Sequence, residues 1–456
     1  MNPFPRSAPE NHVALGSART SKERKVARDG STRGGRWLSV FIGLLVGVGL
    51  ICWLTLPNRV DEPVEAPWSV NDEAFADGFG TLVGADFLRG NRIQSLLNGD
   101  EIFPAMLADI ARAQRSITLE TYIWESGEVS DRFIAALTER AGAGVKVHIV
   151  IDGMGALKFK DEDWARLAGA GAEIVKYGRE HWYDVKPNAN HRTHRKLMVV
   201  DGRVGYIGGI CIADTWLGDG RRPDHWRDTH VRVEGPVARQ LQSAFMANWT
   251  QTTGRLLLGE TYFPAFTGED GGGEDGRALC FASGPDEGSE AARLAYLLAI
   301  ASARKSVRIA HAYFIPDDLM TQTLLRARER GVEIEVIAPA VNDSAIGRAA
   351  ARSRWGALLE AGVKMHLFEP ALYHCKVMIV DDTFVTVGSI NFDNRSFSIN
   401  DEANLCSLDP ALAQAQLAAF EADRADSRPY PVEEFRARPV WVKGGDWLAG
   451  LLAPLL

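Results

Sequence analysis

The sequence predicts an α/β protein with an internal duplication, folded as two similar lobes and preceded by one transmembrane helix. Three observations indicate this: a histidine–lysine–aspartate motif that occurs twice, 180 residues apart; a helix–strand order repeated before each motif; and one uncharged apolar run near the N-terminus. Two strands joined by a helix form a parallel pair covered by that helix, so each repeat predicts one α/β layer. The 456 residues are sufficient for two such lobes.

The N-terminal segment predicts a membrane anchor. Residues 1–36 are polar and carry eight basic against three acidic residues, and Trp37–Leu56 carries no charge. A helix of about twenty apolar residues crosses ~30 Å of hydrocarbon. A cleaved signal peptide is the competing interpretation, but the run is long for one and residues 57–61 do not resemble a cleavage site. Because the basic leader contrasts with an acidic segment after the run, we expect a cytoplasmic N-terminus and a catalytic part outside the cytoplasm.

Composition shifts mark the predicted domain boundaries. Prolines and acidic residues follow the apolar run, and a stretch of glycines and acidic residues separates the two motif-bearing parts. The predicted order is a basic leader at 1–36, a transmembrane helix at 37–57, a linker at 58–84, a first lobe at 85–267, a connector at 268–276 and a second lobe at 277–456 with an apolar C-terminal segment.

Hydrophobic periodicity predicts the same elements in both lobes. In the first lobe it predicts a helix at 102–114, a strand at 116–124, a helix at 130–143 and a strand at 145–152. In the second lobe it predicts a helix at 292–303, a strand at 306–314, a helix at 317–330 and a strand at 332–338. Each lobe therefore contains a β-α-β unit before its motif.

The repeated motif places chemistry-bearing side chains on a hairpin. His194 and Lys196 are two residues apart before an Asp-Gly turn at Asp201, and His374 and Lys376 stand likewise before Asp381. Side chains two apart on a strand share a face, so each pair presents an imidazole and an ammonium together. The two aspartates lie at hairpin turns, which predicts a structural role. After the second strands, Gly209, Ser389 and Asn391 predict contacts to phosphate oxygens.

The two copies of H-x-K-x4-D-x6-G-[GS] resemble the phospholipase D superfamily. Segments outside the motifs, over roughly residues 88–456, narrow the resemblance to the bacterial cardiolipin synthases: ETYIW at 120–124, WRDTHVRVEGP at 226–236, AYFIPD at 312–317 and GSINFDNRSF at 388–397. The resemblance implies two lobes facing each other across a pseudo-twofold axis, with both histidines in one active site. It also implies a bacterial inner-membrane enzyme that transfers a phosphatidyl group between phosphatidylglycerol molecules and releases glycerol.

Phosphodiester exchange of this kind needs a nucleophile, a proton donor for the leaving alcohol and positive charge around phosphate. The resemblance implies that one histidine attacks phosphorus while the other donates the proton, with the first-copy His194 favoured as nucleophile. Lys196 and Lys376 supply the charge. Asp228 and Glu402 match the acidic positions that orient the histidines in the superfamily, each across to the other copy. No metal or cofactor is expected.

One position departs from the family pattern. The first copy has Cys211 where an asparagine is usual after the glycine pair, and a thiol is a poor hydrogen-bond donor. Both histidines and both lysines are present, so we still expect an active enzyme. Two alternatives remain: a phospholipase D that hydrolyses phospholipid to phosphatidic acid, and an inactive membrane-anchored scaffold that binds phospholipid. The acceptor alcohol and the oligomeric state are left open.

Net charge and cysteine spacing argue against a nucleic-acid-binding protein and against a protein with a cysteine metal site. The net charge is −8, and because the leader contributes +5 the remainder carries about −13, which disfavours binding to nucleic acid. The five cysteines show no C-x-x-C pair or metal-ligand spacing, so buried thiols are expected.

The apolar C-terminal segment, residues 441–456, is too short to span a bilayer. It predicts either an interfacial segment or one packed on the second lobe.

Overall fold

The computed structural model describes residues 43, 60, 62–178, 191–266, 276–285 and 290–453. The predicted leader at 1–36 lies outside these residues. The predicted transmembrane helix at 37–57 also lies outside them except for residue 43, and so does the connector at 268–276 except for residue 276. Among the described residues, no helix has both the length and the apolar character that crossing a membrane requires. Residues from Val60 onward form one compact unit.

The segment predicted as a linker contains a helix. Helix α1 spans Glu73–Val83, with Phe75 and Phe79 fully buried. Their rings lie 5.5 and 5.2 Å from the ring of Phe384 in the second lobe. Glycines and nearby prolines weaken the local helix signal, but the burial of apolar residues four apart outweighs it. The prediction of a linker over 58–84 is corrected accordingly.

The first copy alternates strands and helices as predicted. Its elements are β1 Leu88–Leu97, α2 Asn98–Arg112, β2 Ser116–Thr121, α3 Glu128–Gly142, β3 Lys146–Asp152, α4 Asp161–Gly169, β4 Glu173–Tyr177, β5 Leu197–Val200, β6 Val204–Gly208, a 3-10 turn at Asp214–Trp216, β7 Thr229–Glu234 and α5 Ala238–Thr253.

The second copy repeats this order and adds elements at its C-terminal end. Its elements are β8 Gly276–Ser283, α6 Ala291–Ser302, β9 Ser306–His311, α7 Asp318–Glu329, β10 Glu333–Pro339, α8 Ala345–Arg354, α9 Gly356–Glu360, β11 Lys364–Phe368, β12 Lys376–Val380, β13 Phe384–Gly388, α10 Asn394–Ser398, β14 Glu402–Ser407, α11 Pro410–Ala425, β15 Ser427–Pro429, α12 Val432–Ala437 and α13 Val440–Gly450.

The described strands form one 15-stranded mixed sheet. Outward from its centre, one half runs β1-β7-β6-β5-β2-β3-β4 and the other runs β8-β14-β13-β12-β9-β10-β11, with β15 added at the edge. The strand order is therefore the same in both halves, as a duplicated chain requires. Antiparallel pairing of β1 with β8 joins the halves. Apolar clusters lie on both faces of this sheet, which is buried as expected for parallel strands covered by helices.

The two motif aspartates tie each hairpin to its own lobe. The Asp201 carboxylate accepts hydrogen bonds from the backbone amides of Gln114, Arg115 and Ser116, at 2.7 to 3.1 Å. Asp381 accepts the equivalent bonds from residues 304–306, at 2.7 to 2.9 Å. Both aspartates have positive φ, 54° and 52°, the conformation that a tight hairpin turn demands. These contacts fix β5 and β12 beside β2 and β9.

Candidate active site

Backbone contacts between the two copies bring the motif histidines together. The amide of His194 donates to the carbonyl of Asp401 at 2.8 Å, and the amide of His374 donates to the carbonyl of Arg227 at 2.8 Å. Each histidine therefore stands just before its hairpin, beside the acidic segment of the opposite copy. This crossed pairing fixes the backbone of both histidines at the junction of the lobes.

Each histidine ring meets a carboxylate from the other copy. His194 Nδ1 lies 3.0 Å from both oxygens of Glu402, and His374 Nδ1 lies 2.7 Å from Asp228 Oδ2. Both carboxylates are fully buried. A carboxylate beside Nδ1 accepts a hydrogen bond from Nδ1–H, so the neutral tautomer keeps its proton on Nδ1 and leaves a lone pair on Nε2. The geometry thus makes Nε2 the reactive nitrogen of both rings.

The carboxylates are themselves held by donors that differ between the copies. Glu402 accepts hydrogen bonds from the hydroxyls of Ser389, at 2.5 Å, and Ser396, at 2.7 Å. Asp228 accepts one from the indole of Trp216 at 2.9 Å. The Ser389 hydroxyl, predicted as a phosphate contact, is therefore engaged by Glu402. Trp216 and Ser396 are 180 residues apart, like the histidines, and so occupy equivalent positions in the duplication.

Gly209 provides room for the carboxylate of Asp228. A Cβ atom at this position would lie 2.1 Å from Asp228 Oδ1, far inside contact distance. In the second copy the equivalent residue, Ser389, reaches the longer Glu402 by its hydroxyl. The sequence predicted Gly209 as a substrate contact; the structure places it against the carboxylate that holds His374.

Both motif lysines are buried beside their histidines. Lys196 Nζ donates to the carbonyl of His194 at 2.6 Å and lies 5.4 Å from the centre of the Tyr122 ring. Lys376 Nζ donates to the carbonyl of His374 at 2.6 Å and lies 3.1 Å from each of its ring nitrogens. The two ammonium groups therefore contribute positive charge that acts on the two imidazoles.

A cavity of about 260 Å³ opens at this junction. His194, Lys196, His374, Cys211 and Asn391 all line it, so both copies contribute to one site. Cys211 and Asn391 occupy equivalent positions in the two copies, and the Asn391 Oδ1 atom is buried without a partner in the described part of the chain. One copy thus offers an amide to the cavity where the other offers a thiol.

Burial and charge set the protonation of these groups. Burial lowers the pKa of His194 to about 4, and burial together with Lys376 lowers the pKa of His374. Burial raises the pKa of Asp228 and Glu402, but the adjacent histidines outweigh it, so the pKa of each carboxyl group lies below its usual value. Burial lowers the pKa of Lys376 to about 8. Near neutral pH the site therefore holds neutral imidazoles, ionised carboxylates and a lysine close to its titration range.

Further residues that the motifs did not reveal complete the cavity wall. They are Tyr122, Ile123, Arg192, Trp226, Tyr313, Ile315, Asp343, Ser344, Gly347, Asp393, Arg395 and Asn400. The two arginines add cations at the same mouth. Trp226 and Trp216 both lie against the His374 ring, with centroids 5.3 Å away. Tyr122 and Tyr313 follow strands β2 and β9 and line the cavity, whereas the nearby His311 and Trp124 are fully buried.

The described cysteines Cys211, Cys280, Cys375 and Cys406 are buried free thiols, as expected from their spacing. Among the residues that the structure describes, no group of histidine, cysteine or carboxylate side chains has the arrangement of a metal site.

Comparison with known proteins finds one matching family model, described as the PLD-like domain of cardiolipin synthase, over residues 106–249 and 296–424. The chain is 31% identical over 372 residues to the major cardiolipin synthase ClsA of Bacillus subtilis, covering 82% of this chain and 77% of that protein. It is 34% identical over 362 residues to the cardiolipin synthase of Geobacillus sp. strain WCH70, covering 79% and 72%.

Solved structures share the fold at low sequence identity. A phosphatidylserine synthase from Haemophilus influenzae Rd KW20 superposes with a TM-score of 0.61 at 16% identity, covering 84% of this chain and all of that chain. A polyphosphate kinase from Porphyromonas gingivalis gives 0.50 at 14% identity, covering 87% of this chain and 58% of that chain. At these identities the likeness establishes the fold alone.

Proposed function

The chain belongs to the PLD-like cardiolipin synthases and is a cardiolipin synthase-like phosphatidyltransferase, and from that premise we propose that it joins two phosphatidylglycerol molecules through a phosphohistidine. The observation that supports this most directly is the pair of histidines, each with Nδ1 on a buried carboxylate and both lining one cavity. We further propose that a pseudo-twofold axis relates the two copies and that the reaction takes place on it.

In the first half-reaction His194 Nε2 attacks phosphorus of the donor lipid. The phosphorus–oxygen bond to the glycerol headgroup breaks, and protonated His374 gives its Nε2 proton to that oxygen, which leaves as glycerol. The substrate phosphate is an anion, and its arrival beside His374 favours the imidazolium form that this step needs. Lys196 and Lys376 stabilise the charge on the non-bridging oxygens.

In the second half-reaction a headgroup hydroxyl of another phosphatidylglycerol gives its proton to His374 and attacks phosphorus. The bond between phosphorus and His194 Nε2 breaks, so His194 returns as a neutral imidazole and cardiolipin is released. Glu402 stabilises His194 while it carries the phosphoryl group, because the ring then bears positive charge against a buried carboxylate. The low pKa of His194 suits the nucleophile, which must be neutral to attack.

Trapping the intermediate tests this assignment. Wild-type protein is mixed with phosphatidylglycerol, denatured rapidly at alkaline pH, where phosphohistidine survives, and digested for mass spectrometry. We expect the phosphatidyl mass on the peptide containing His194, and its absence in His194→Ala. A phosphatidyl group on the His374 peptide would reverse the two roles, and no adduct on either peptide would overturn the covalent mechanism and favour a binding scaffold.

We propose that residues 37–57 anchor the enzyme in the bacterial inner membrane with the N-terminus in the cytoplasm and the catalytic part outside. The uncharged run and the basic leader before it support this proposal. Protease added to spheroplasts is expected to degrade the part of the chain after residue 60. Full protection of that part in intact spheroplasts, with cleavage after lysis, would place it in the cytoplasm instead.

A further inference from the structure

The last helix, α13, buries an aspartate and exposes most of its large apolar side chains. Its buried side presents Asp446, which is 2% exposed, whereas Trp441 on the outer side is 79% exposed. Val440 and Trp441 stand seven residues, or two helical turns, before Trp447 and Leu448, and Leu451 follows these two by four and three residues. The five exposed apolar side chains therefore form one stripe on the outer side. An apolar stripe of this size on the surface marks a contact with something other than water.

Buried ion pairs fix this orientation of α13. Asp446 Oδ1 lies 2.7 Å from Arg352 on α8, and Asp446 also pairs with Arg438. A Cβ atom on Gly450 would lie 2.6 Å from Ser353 Oγ, so the two helices are in close contact. Rolling α13 to bury its tryptophans would take the buried carboxylate of Asp446 away from its arginine partners, and removing the partner of a buried charge is strongly destabilising.

The apolar stripe continues to the mouth of the active-site cavity. Arg352 and Ser353 contact residues 446 and 450, and Arg348 and Val442 line the same groove, so α8 and α13 run parallel. The first turn of α8 supplies Gly347 to the cavity wall, and Ser344 caps this helix at the same place. Ile346 between them is exposed. The start of α13, with Val440 and Trp441, is therefore at the cavity end of α8.

Positive charge accompanies the stripe. Helix α8 carries Arg348, Arg352 and Arg354 and no acidic residue, in a chain whose net charge is −8. A groove of about 330 Å³ between α8 and the start of α13 is lined by four arginines and Glu434. Arg352 and Arg438 pair with Asp446, and Arg428 pairs with Glu434, whereas Arg348 is the fourth arginine of this groove. The Nε atom of Arg348 is buried in it without a partner among the described residues. A guanidinium group with an unsatisfied donor in such a groove favours an anionic phosphate.

We propose that this C-terminal surface, the outer side of α13 together with the arginine groove, docks the enzyme onto an anionic phospholipid bilayer. This proposal rests on the proposed function, because a lipid whose acyl chains stay in the bilayer can reach His194 only when the cavity mouth faces that bilayer. Tryptophans beside cations are typical of the membrane interface, where the rings sit at headgroup depth and the charges meet phosphate. A second copy of the chain fits less well, since a twofold contact would set the arginines of two α8 helices against each other.

Activity on two forms of one substrate tests the proposal with the full chain. The variant combines Trp447→Ser with Leu448→Ser, and the matched control combines Leu256→Ser with Leu258→Ser, which are also exposed but lie after α5. On phosphatidylglycerol vesicles we expect the first variant to lose about tenfold in turnover or more, and the control to match wild type. On monomeric short-chain phosphatidylglycerol both should match wild type. Equal loss on both forms, or no loss on vesicles, would overturn the proposal.

A second measurement detects docking without relying on turnover. It therefore tests the docking proposal even in the case that the enzyme acts on a lipid other than phosphatidylglycerol. The full chain is placed in phosphatidylglycerol vesicles whose acyl chains carry bromine near the headgroup, and quenching of tryptophan is compared with Trp441→Phe/Trp447→Phe. We expect the wild type to show additional quenching that the double phenylalanine variant lacks. This additional quenching should be weaker in Arg348→Gln when the salt concentration is raised. No difference between wild type and variant, or a dimer that the serine variant abolishes, would assign the surface to another role.

Discussion

Asp228 and Glu402 act by orienting the imidazole rings of His374 and His194 and by placing a negative charge beside them. Replacing a carboxylate by the amide of the same shape removes that charge and keeps the side chain in place. In Glu402→Gln the hydroxyls of Ser389 and Ser396 keep a partner, but the buried negative charge opposite His194 is lost. We expect turnover to fall by about 10²–10⁴-fold with the fold retained. Steady-state kinetics with a thermal melt checks this, and Glu335→Gln, on strand β10 and not among the residues that line the cavity, serves as control.

Activity within a factor of about two of wild type in Glu402→Gln would contradict that role. A large loss that is accompanied by unfolding would instead assign Glu402 to stability. The equivalent change in the first copy, Asp228→Asn, should give a loss of the same order, because Asp228 stands in the same relation to His374.

Lys376 predicts a limit on the alkaline side of the pH profile. Burial lowers the pKa of this lysine to about 8, so it is charged below that pH and neutral above it. A neutral amine no longer attracts phosphate, and kcat/KM should fall as the pH rises through about 8. Arginine stays protonated across this range, so Lys376→Arg should remove this limb even where its maximal rate is reduced. An unchanged alkaline limb in Lys376→Arg would assign it to another group.

The same pKa predicts that the charged form of Lys376, which supports catalysis, lowers the stability of the folded protein. In the unfolded chain Lys376 titrates at its ordinary value of 10.5, so the folded protein binds fewer protons between about pH 8 and that value. The cost of burying the ammonium is present below pH 8 and disappears as the pH rises. Lys376→Met should therefore abolish turnover while raising the melting temperature at pH 7, and by less at pH 10. A lower melting temperature at pH 7 would show that the lysine stabilises the fold.

Replacing Cys211 by asparagine, the residue that the family resemblance leads us to expect at this position, tests whether the thiol has a role of its own. It lines the cavity opposite Asn391, the equivalent residue of the second copy. An amide can donate to a phosphate oxygen where a thiol donates weakly, so Cys211→Asn should retain or raise turnover. Lipid turnover at saturating substrate measures this, with the buried Cys280→Ser as control. A dead Cys211→Asn protein that melts like wild type would show that the thiol is needed.

At the scale of elements, the hairpin turns make a prediction about stability. Asp201 accepts three backbone amides at the start of β2, and Asp201→Ala leaves those donors without a partner. We expect a loss of about 2–4 kcal/mol in the free energy of unfolding, measured in urea, with kcat per folded molecule nearly unchanged. Asp219→Ala, in an exposed loop, is the control. Unchanged stability would mean that water replaces the carboxylate without cost.

The elements that the sequence predicted are those whose signal is local. The β-α-β units and the hairpins around Asp201 and Asp381 follow from periodicity and turn residues, and their bounds agree within a few residues. Helix α1 escaped prediction because its stability comes from packing on Phe384, far away in the sequence. The contacts of Trp216 and Ser396 also depend on tertiary approach, although their spacing of 180 residues was a usable signal.

At the scale of the molecule, the two copies are joined by a buried ion pair as well as by the sheet. Arg227 Nη2 lies 2.9 Å from Asp423 Oδ2, both nearly fully buried, and the carbonyl of Arg227 holds the amide of His374. Arg227→Met removes the charged partner of Asp423, which keeps the hydrogen bond from the Tyr373 hydroxyl, and should cost about 3–5 kcal/mol in the free energy of unfolding. Adding Asp423→Leu should restore much of it, as a urea double-mutant cycle would reveal. Additive losses would show that the two residues do not act as a pair.

The central claim is that one site built from two copies transfers a phosphatidyl group to an alcohol. It is tested most directly by lipid analysis of detergent-purified full-length protein incubated with phosphatidylglycerol in the absence of divalent metal, beside His194→Ala and His374→Ala. We expect cardiolipin and glycerol in equal amounts from the wild type and neither product from the two variants. Phosphatidic acid in place of cardiolipin would make water the acceptor, and full activity in either variant would contradict the two-histidine mechanism.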